Sequence, residues 1–132
     1  MCGRYGLQTP TRELARQLAA VDRTEATGPR YNVAPTQSLP ICRQPEGGDR
    51  ELVNLEWGLI PFWSKDPQQT RSQYSLINAR AESVADKPAF KAAFRYRRCL
   101  VPADGFFEWQ AQGDGPKQPY WIRFTSGEPM YF

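Results

Sequence analysis

Punctuation limits what this chain can fold into more than any other feature. Twelve prolines and ten glycines are spread over 132 residues, and they cut the apolar runs into short pieces. Proline removes a backbone donor and glycine admits left-handed backbone, so both mark turns. A chain interrupted so often reads as strands and loops with a few short helices. Its length suits one domain around one core. The expected class is α+β: a single compact domain, mainly β.

The segments follow from that punctuation. Residues 1–7 (MCGRYGL) read as extended. Thr9-Pro10 reads as an N-cap with proline at the first helical position; Leu14, Leu18 and Val21 follow at helical spacing, which predicts a helix of about 12 residues. Gly28-Pro29 ends that region. Residues 39–41 form a short apolar strand, 46–49 (EGGD) a hairpin turn, and Leu52, Val53 and Leu55 a strand entering the aromatic block 57–63 (WGLIPFW). The polar stretch 64–74 reads as a loop. INARAES at 77–83 opens a helix-like segment, and Pro88 begins another short helix with Phe90 and Phe94 on one face. Residues 98–102, 105–109 and 120–124 read as strands, with 111–118 as a turn. Met130-Tyr131-Phe132 is again strand-like. Domains seldom stop inside a strand, so the chain is expected to be a piece of a longer protein.

Charge and thiol content narrow the chemistry. The formal net charge is +3, and 13 of the 17 basic residues are arginine, whose planar fork suits phosphate oxygens; an ordinary basic surface explains the same bias. Cys2, Cys42 and Cys99 are far apart, and there is no histidine. That set makes a poor zinc site and no disulfide framework, so no metal and no organic cofactor are expected. Cys42 and Cys99 read as small buried residues. An apolar leader is missing and no run approaches the ~18 apolar residues of a membrane span, which predicts a cytoplasmic protein with reduced thiols.

Four places hold residues that suit chemistry, each with a plainer explanation beside it. If Met1 is removed, Cys2 becomes an N-terminal 1,2-aminothiol. Its amine can attack an aldehyde to give a Schiff base, and its thiolate can then close a five-membered thiazolidine; a cysteine at this position is also commonly incidental. Glu108 alternates with aromatics in 105–109 (GFFEW): Phe107 and Trp109 point one way, Phe106 and Glu108 the other. A carboxyl among rings suits a general acid, while a solvent-facing charge explains the pattern equally. Asn78 can hydrogen-bond a polar substrate and Arg80 can clamp a phosphate, or they are a helix cap and a surface arginine. Trp57, Phe62 and Trp63 are either surfaces for base stacking or core. Arg4 and Asn32 lie beside similar turns and could meet phosphates, bases or only water.

Taken in order, MCGR, RYNVAPTQ (30–37), WGLIPFW, INARAES, the FK-F-RRCLVPADGFFEW stretch (90–109) and KQPYWI (117–122) resemble the SRAP family, the SOS response-associated peptidases or abasic-site-processing proteins. The resemblance spans essentially the whole chain. It implies a compact, mainly β, α+β fold with a basic cleft for single-stranded DNA containing abasic sites, and covalent capture of the lesion through Cys2 as a thiazolidine. It carries Asn78 and Glu108 over as active-site polar residues, and Arg4, Asn32, Pro35, Trp63 and Arg80 as cleft residues. It implies a role in DNA damage, a monomer, and no membrane partner. The family pattern also continues to a C-terminal histidine that this chain does not contain. Two other readings stay open: a thiol-dependent (auto)peptidase, and a non-catalytic single-stranded DNA-binding module.

Overall fold

A computed structural model describes residues 3–25 and 28–132. In chain order the elements are β1 (Tyr5–Leu7), α1 (Thr11–Leu18), β2 (Val21–Asp22), β3 (Arg30–Val33), β4 (Ser38–Arg43), β5 (Glu51–Glu56), α2 (Pro67–Gln73), α3 (Pro88–Tyr96), β6 (Pro102–Ala103), β7 (Gly105–Gln112), β8 (Gly115–Ile122) and β9 (Met130–Tyr131). They form three sheets, ordered β3-β1-β7-β8, β2-β5-β4 and β6-β9. This is the α+β, strand-dominated architecture the punctuation predicts. The apolar residues of β1, β3, β4 and β5 meet Leu14 of α1 in one core, with Tyr5, Leu14, Val33 and Leu52 buried. No helix among the described residues is long and apolar enough to cross a membrane.

The first helix departs from expectation at both ends. Pro10, not Thr9, is the N-cap. Thr9 instead donates its hydroxyl to Asp104 Oδ1 at 2.5 Å and its amide to Asp104 Oδ2 at 2.8 Å. A carboxylate distant in sequence thus holds Thr9, and no side-chain cap bond forms at the helix start. The helix stops at Ala19, which turns left-handed (φ 48°) and closes on the carbonyls of Ala15 and Arg16. Val21 therefore leaves the helix, joins β2 beside β5 and is 46% exposed.

Three further segments differ. The expected loop at 64–74 contains α2. Asp66 caps it by accepting from the amides of Gln68 and Gln69 at 2.9 and 3.1 Å, and Pro67 starts the first turn. Capping thus overrides a nearly apolar-free sequence. Conversely, 77–83 is not helical: it is a bend followed by turns over 81–86. The carbonyls of Leu76 and Ile77 are taken by the Leu59 amide (3.0 Å) and the Trp57 indole (2.8 Å), not by amides four residues on. The strand expected at 98–102 reduces to a Leu100–Cys42 bridge and β6. The turn expected at 111–118 tightens to the tip around Gly113 (φ 55°), so β7 and β8 run almost to it. Cys42 is buried as expected, but Cys99 is exposed because its segment pairs through a single bridge at the surface. Phe90 is half-buried and Phe94 is exposed, so no residue of α3 is fully buried.

Candidate functional site

The site is organised by β1, the short strand held on both edges. Tyr5 sits opposite Val33 on one side and Phe106 on the other. Directly opposed residues share a face, so Tyr5, Val33 and Phe106 point inward together. Arg4 therefore points outward. Its carbonyl accepts the Phe107 amide at 2.9 Å, and its Nη1 donates to Asn32 Oδ1 at 3.0 Å. Phe107, Trp109 and Trp121 complete that outer face, with the Phe107 and Trp121 rings 4.7 Å apart.

Glu108 follows the alternation to the inner side with Phe106, half-buried and opposite Tyr120 of β8. The β1–β7 register, carried one step past its last hydrogen-bonded pair, brings Gly3 abreast of Glu108. The sheet thus places a guanidinium–amide pair on one face and a carboxylate on the other, at the same end of β1. Cys2 lies outside the described residues.

Asn78 belongs to a neighbouring wall. Pro35 and Thr36 (φ 71°) make the corner between β3 and β4; the Thr36 amide donates to the Trp57 carbonyl at 2.9 Å, and the Trp57 amide donates to Gln37 O at 3.0 Å. Trp57 then ties down Ile77 through its indole. The result is a cavity of about 400 Å³ bordered by Tyr5, Trp57, Ile77, Asn78 and Phe132. The Tyr5 ring lies 5.5 Å from Trp57 and 6.4 Å from Phe132. Asn78 is half-buried in this largely apolar lining. None of Arg4, Tyr5, Asn78 and Glu108 is without a polar or ring partner.

The remaining candidates stand apart. Trp63 is 44% exposed and edge-on to Tyr74 at 6.0 Å; Phe62 is exposed, while Trp57 packs against the core. Arg80 is exposed, and among the described residues it makes no ion pair. No hydrogen bond or ion pair among the described residues joins Arg80 or Trp63 to Arg4, Asn32 or Glu108. Sequence reasoning missed two residues that hold the site in place. Asp104 fastens the β1–α1 connection to the start of β7, accepting also from the Gln8 amide. Trp121 covers the paired glycines Gly6 and Gly105. The available signals were an acidic residue beside a glycine, and two glycines within otherwise strand-like runs.

The described thiols are poor nucleophiles. Burial pushes the Cys42 thiol up; Cys99 keeps an exposed surface, yet the protein packed around its thiol desolvates it, and this, followed by proximity to Cys42, raises it as well. Among the described residues no group of three histidine, cysteine or acidic side chains could hold a metal. What the arrangement offers is a carboxylate able to move a proton, an amide able to orient a polar atom, and guanidinium groups able to meet an anion.

The model of the family described as SOS response associated peptidase (SRAP) matches residues 1–132. The chain is 38% identical to the abasic site processing protein YoaM of Bacillus subtilis, over 100% of this chain and 57% of that protein. It is 34% identical to the abasic site processing protein HMCES of Rattus norvegicus, over 97% of this chain and 42% of that protein. The chain thus spans about half the length of these curated relatives. Among crystal structures, a phage-related protein of Bordetella bronchiseptica superposes with a TM-score of 0.78 at 31% identity, covering 99% of this chain and 58% of that one. A Bacteroides thetaiotaomicron protein superposes at 0.80 with 23% identity, covering 98% and 65%, and so shares the fold.

Proposed function

The chain belongs to the SOS response associated peptidase (SRAP) family, and from that premise we propose that it captures abasic sites in single-stranded DNA by a covalent bond to Cys2. The observation that carries the reading is the double pairing of β1, which leads the start of the chain into the sheet level with Glu108 and beside the Arg4–Asn32 pair.

The chemistry needs no metal and no organic cofactor. An abasic sugar exchanges between a closed ring and an open aldehyde. Glu108 carries the proton that ring opening requires. The amine of Cys2 adds to C1′, water leaves with a proton from Glu108, and a Schiff base remains. The Cys2 thiol then adds to the imine carbon through sulfur while its proton passes to nitrogen, which closes the thiazolidine with no change of oxidation state. Asn78 orients the sugar oxygen. Arg4 and Arg80 meet phosphates, Asn32 holds the Arg4 guanidinium, Pro35 lines the cleft, and Trp63 offers a ring to a base. The protein acts as a cytoplasmic monomer in the response to DNA damage.

Intact mass after incubation with an abasic single-stranded oligonucleotide tests this. The expected product is a denaturation-resistant adduct on the Met1-free chain, absent with unmodified oligonucleotide and with Cys2→Ser. A folded, Met1-free chain that binds intact and abasic strands equally and forms no adduct would instead make it a non-covalent DNA-binding module.

A further inference from the structure

A second cluster of arginines lies on residues that the proposed chemistry does not use. Between the end of β4 and the segment after α3 is an open groove of about 470 Å³. Arg43, Arg50, Arg95 and Arg98 line it, with the exposed ring of Tyr96 and the thiol of Cys99. Arginines gathered this way usually neutralise acids nearby, and here one pair does so. Glu51 bonds Arg43 at 2.9 Å but also Arg23 at 3.0 Å, so one carboxylate is shared by two guanidiniums. Among the described residues the Arg50 side chain donates to a neutral carbonyl, that of Leu18 at 3.2 Å, and neither it nor Asp49 beside it forms an ion pair. Arg95 lies 5.2 Å from the Tyr96 ring centre. Among the described residues Arg50, Arg95 and Arg98 have no acidic partner. Like charges held together without counter-charge repel one another, and an anion in the groove relieves that repulsion.

We propose that this groove binds the phosphodiester backbone of the single strand at a distance from the lesion, through Arg95 and Arg98. Its position supports a continuous track: Cys99 borders both this groove and the cavity that holds Asn78. Arginine forks suit successive phosphates, and an exposed tyrosine beside them suits a sequence-tolerant base contact. The class of ligand rests on the DNA reading above, whereas the groove rests on side chains that the reading does not include.

Binding of a labelled, unmodified oligothymidylate to the full chain, titrated with salt, tests the site without involving Cys2. Arg95→Gln with Arg98→Gln is expected to weaken binding about tenfold and to flatten the plot of log affinity against log salt by about 1.4, since each single-strand phosphate contact contributes about 0.7. Arg95→Lys with Arg98→Lys should restore most of that slope. On the unaltered chain, bound oligothymidylate should slow phenylglyoxal modification of Arg95 and Arg98, read by peptide mass, which holds even if the double variant folds poorly. An unchanged slope, no protection, or full displacement by inorganic phosphate at matched ionic strength would overturn the proposal. Loss of adduct formation with an intact slope change would sink the abasic-site reading and leave the groove standing.

Discussion

Replacing Asp104 with alanine removes three donors' common acceptor at once. Its carboxylate takes the amides of Gln8 and Thr9 and the hydroxyl of Thr9, two residues that lie 95 or more positions away in sequence. Hydrogen bonds to a charged group contribute about 1.5–3 kcal/mol each when buried. Here Gln8 is exposed and Thr9 is half-buried, so the freed amides regain water and the bonds do not add fully. The expected loss is about 3 kcal/mol, or a fall in Tm of roughly 10–15 °C for a domain of this size. Asp104→Asn keeps one carbonyl oxygen for the two amides and can donate its own amide to the Thr9 oxygen, so it should cost about 1 kcal/mol. Thr9→Ala should cost about 1 kcal/mol alone and couple to Asp104→Ala by a similar amount in a double-mutant cycle. Urea unfolding followed by far-UV circular dichroism measures the four variants beside the parent. An alanine variant within about 0.5 kcal/mol of the parent, the range of ordinary surface substitutions, would refute the claim that this carboxylate fastens β1 to β7.

Three further outcomes rest on the geometry. Gly105→Ala would set a methyl 2.5 Å from the Trp121 ring and 2.7 Å from the Ile122 carbonyl; it should destabilise by about 3 kcal/mol, more than Gly6→Ala, as chemical denaturation would show. Asp66→Ala should cost about 1 kcal/mol and speed hydrogen exchange at the Gln68 and Gln69 amides, whose capping acceptor it removes; unchanged exchange there would dismiss the cap. Partial desolvation raises the thiol of the surface residue Cys99 above its ordinary 9.0, so less thiolate is present at any pH below that value. Alkylation by iodoacetamide, read by mass, should be slower than for free cysteine at pH 8 and should keep rising tenfold per pH unit past the point where free cysteine levels off.

Local grammar made much of this fold legible. The hairpin over 46–49, the Pro88 helix and the alternation in 105–109 depend on neighbours in sequence, and each formed as read. The misreadings share one cause. Asp104 holds Thr9 at the helix start, and Trp57 takes the Ile77 carbonyl that a helix over 77–83 would need. In both places a partner from a distant segment outcompeted the local one, and no periodicity reports that. Residue 66 is the reverse: the Asp-Pro start was in plain view but weighed less than the polarity of residues 68–73. For the site, spacing identified side chains of the right chemistry. It did not reveal that Arg4 and Glu108 take opposite faces of one sheet, because that depends on which strand lies beside β1.

Trp121 lying over Gly6 and Gly105 also sets a timetable. β7 and β8 meet through a tight tip, so their hairpin can close within microseconds and supply the indole that covers Gly105. β1 must be brought back across nearly the whole chain to reach the same surface, which makes its arrival the costlier closure. During synthesis β1 can pair early with β3, but its second edge is closed and covered only after residues through 122 have left the ribosome and folded. A chain cut short before Trp121 lacks the indole that covers Gly6 and Gly105, so the opening strand acquires its full cover only in molecules that have finished this hairpin.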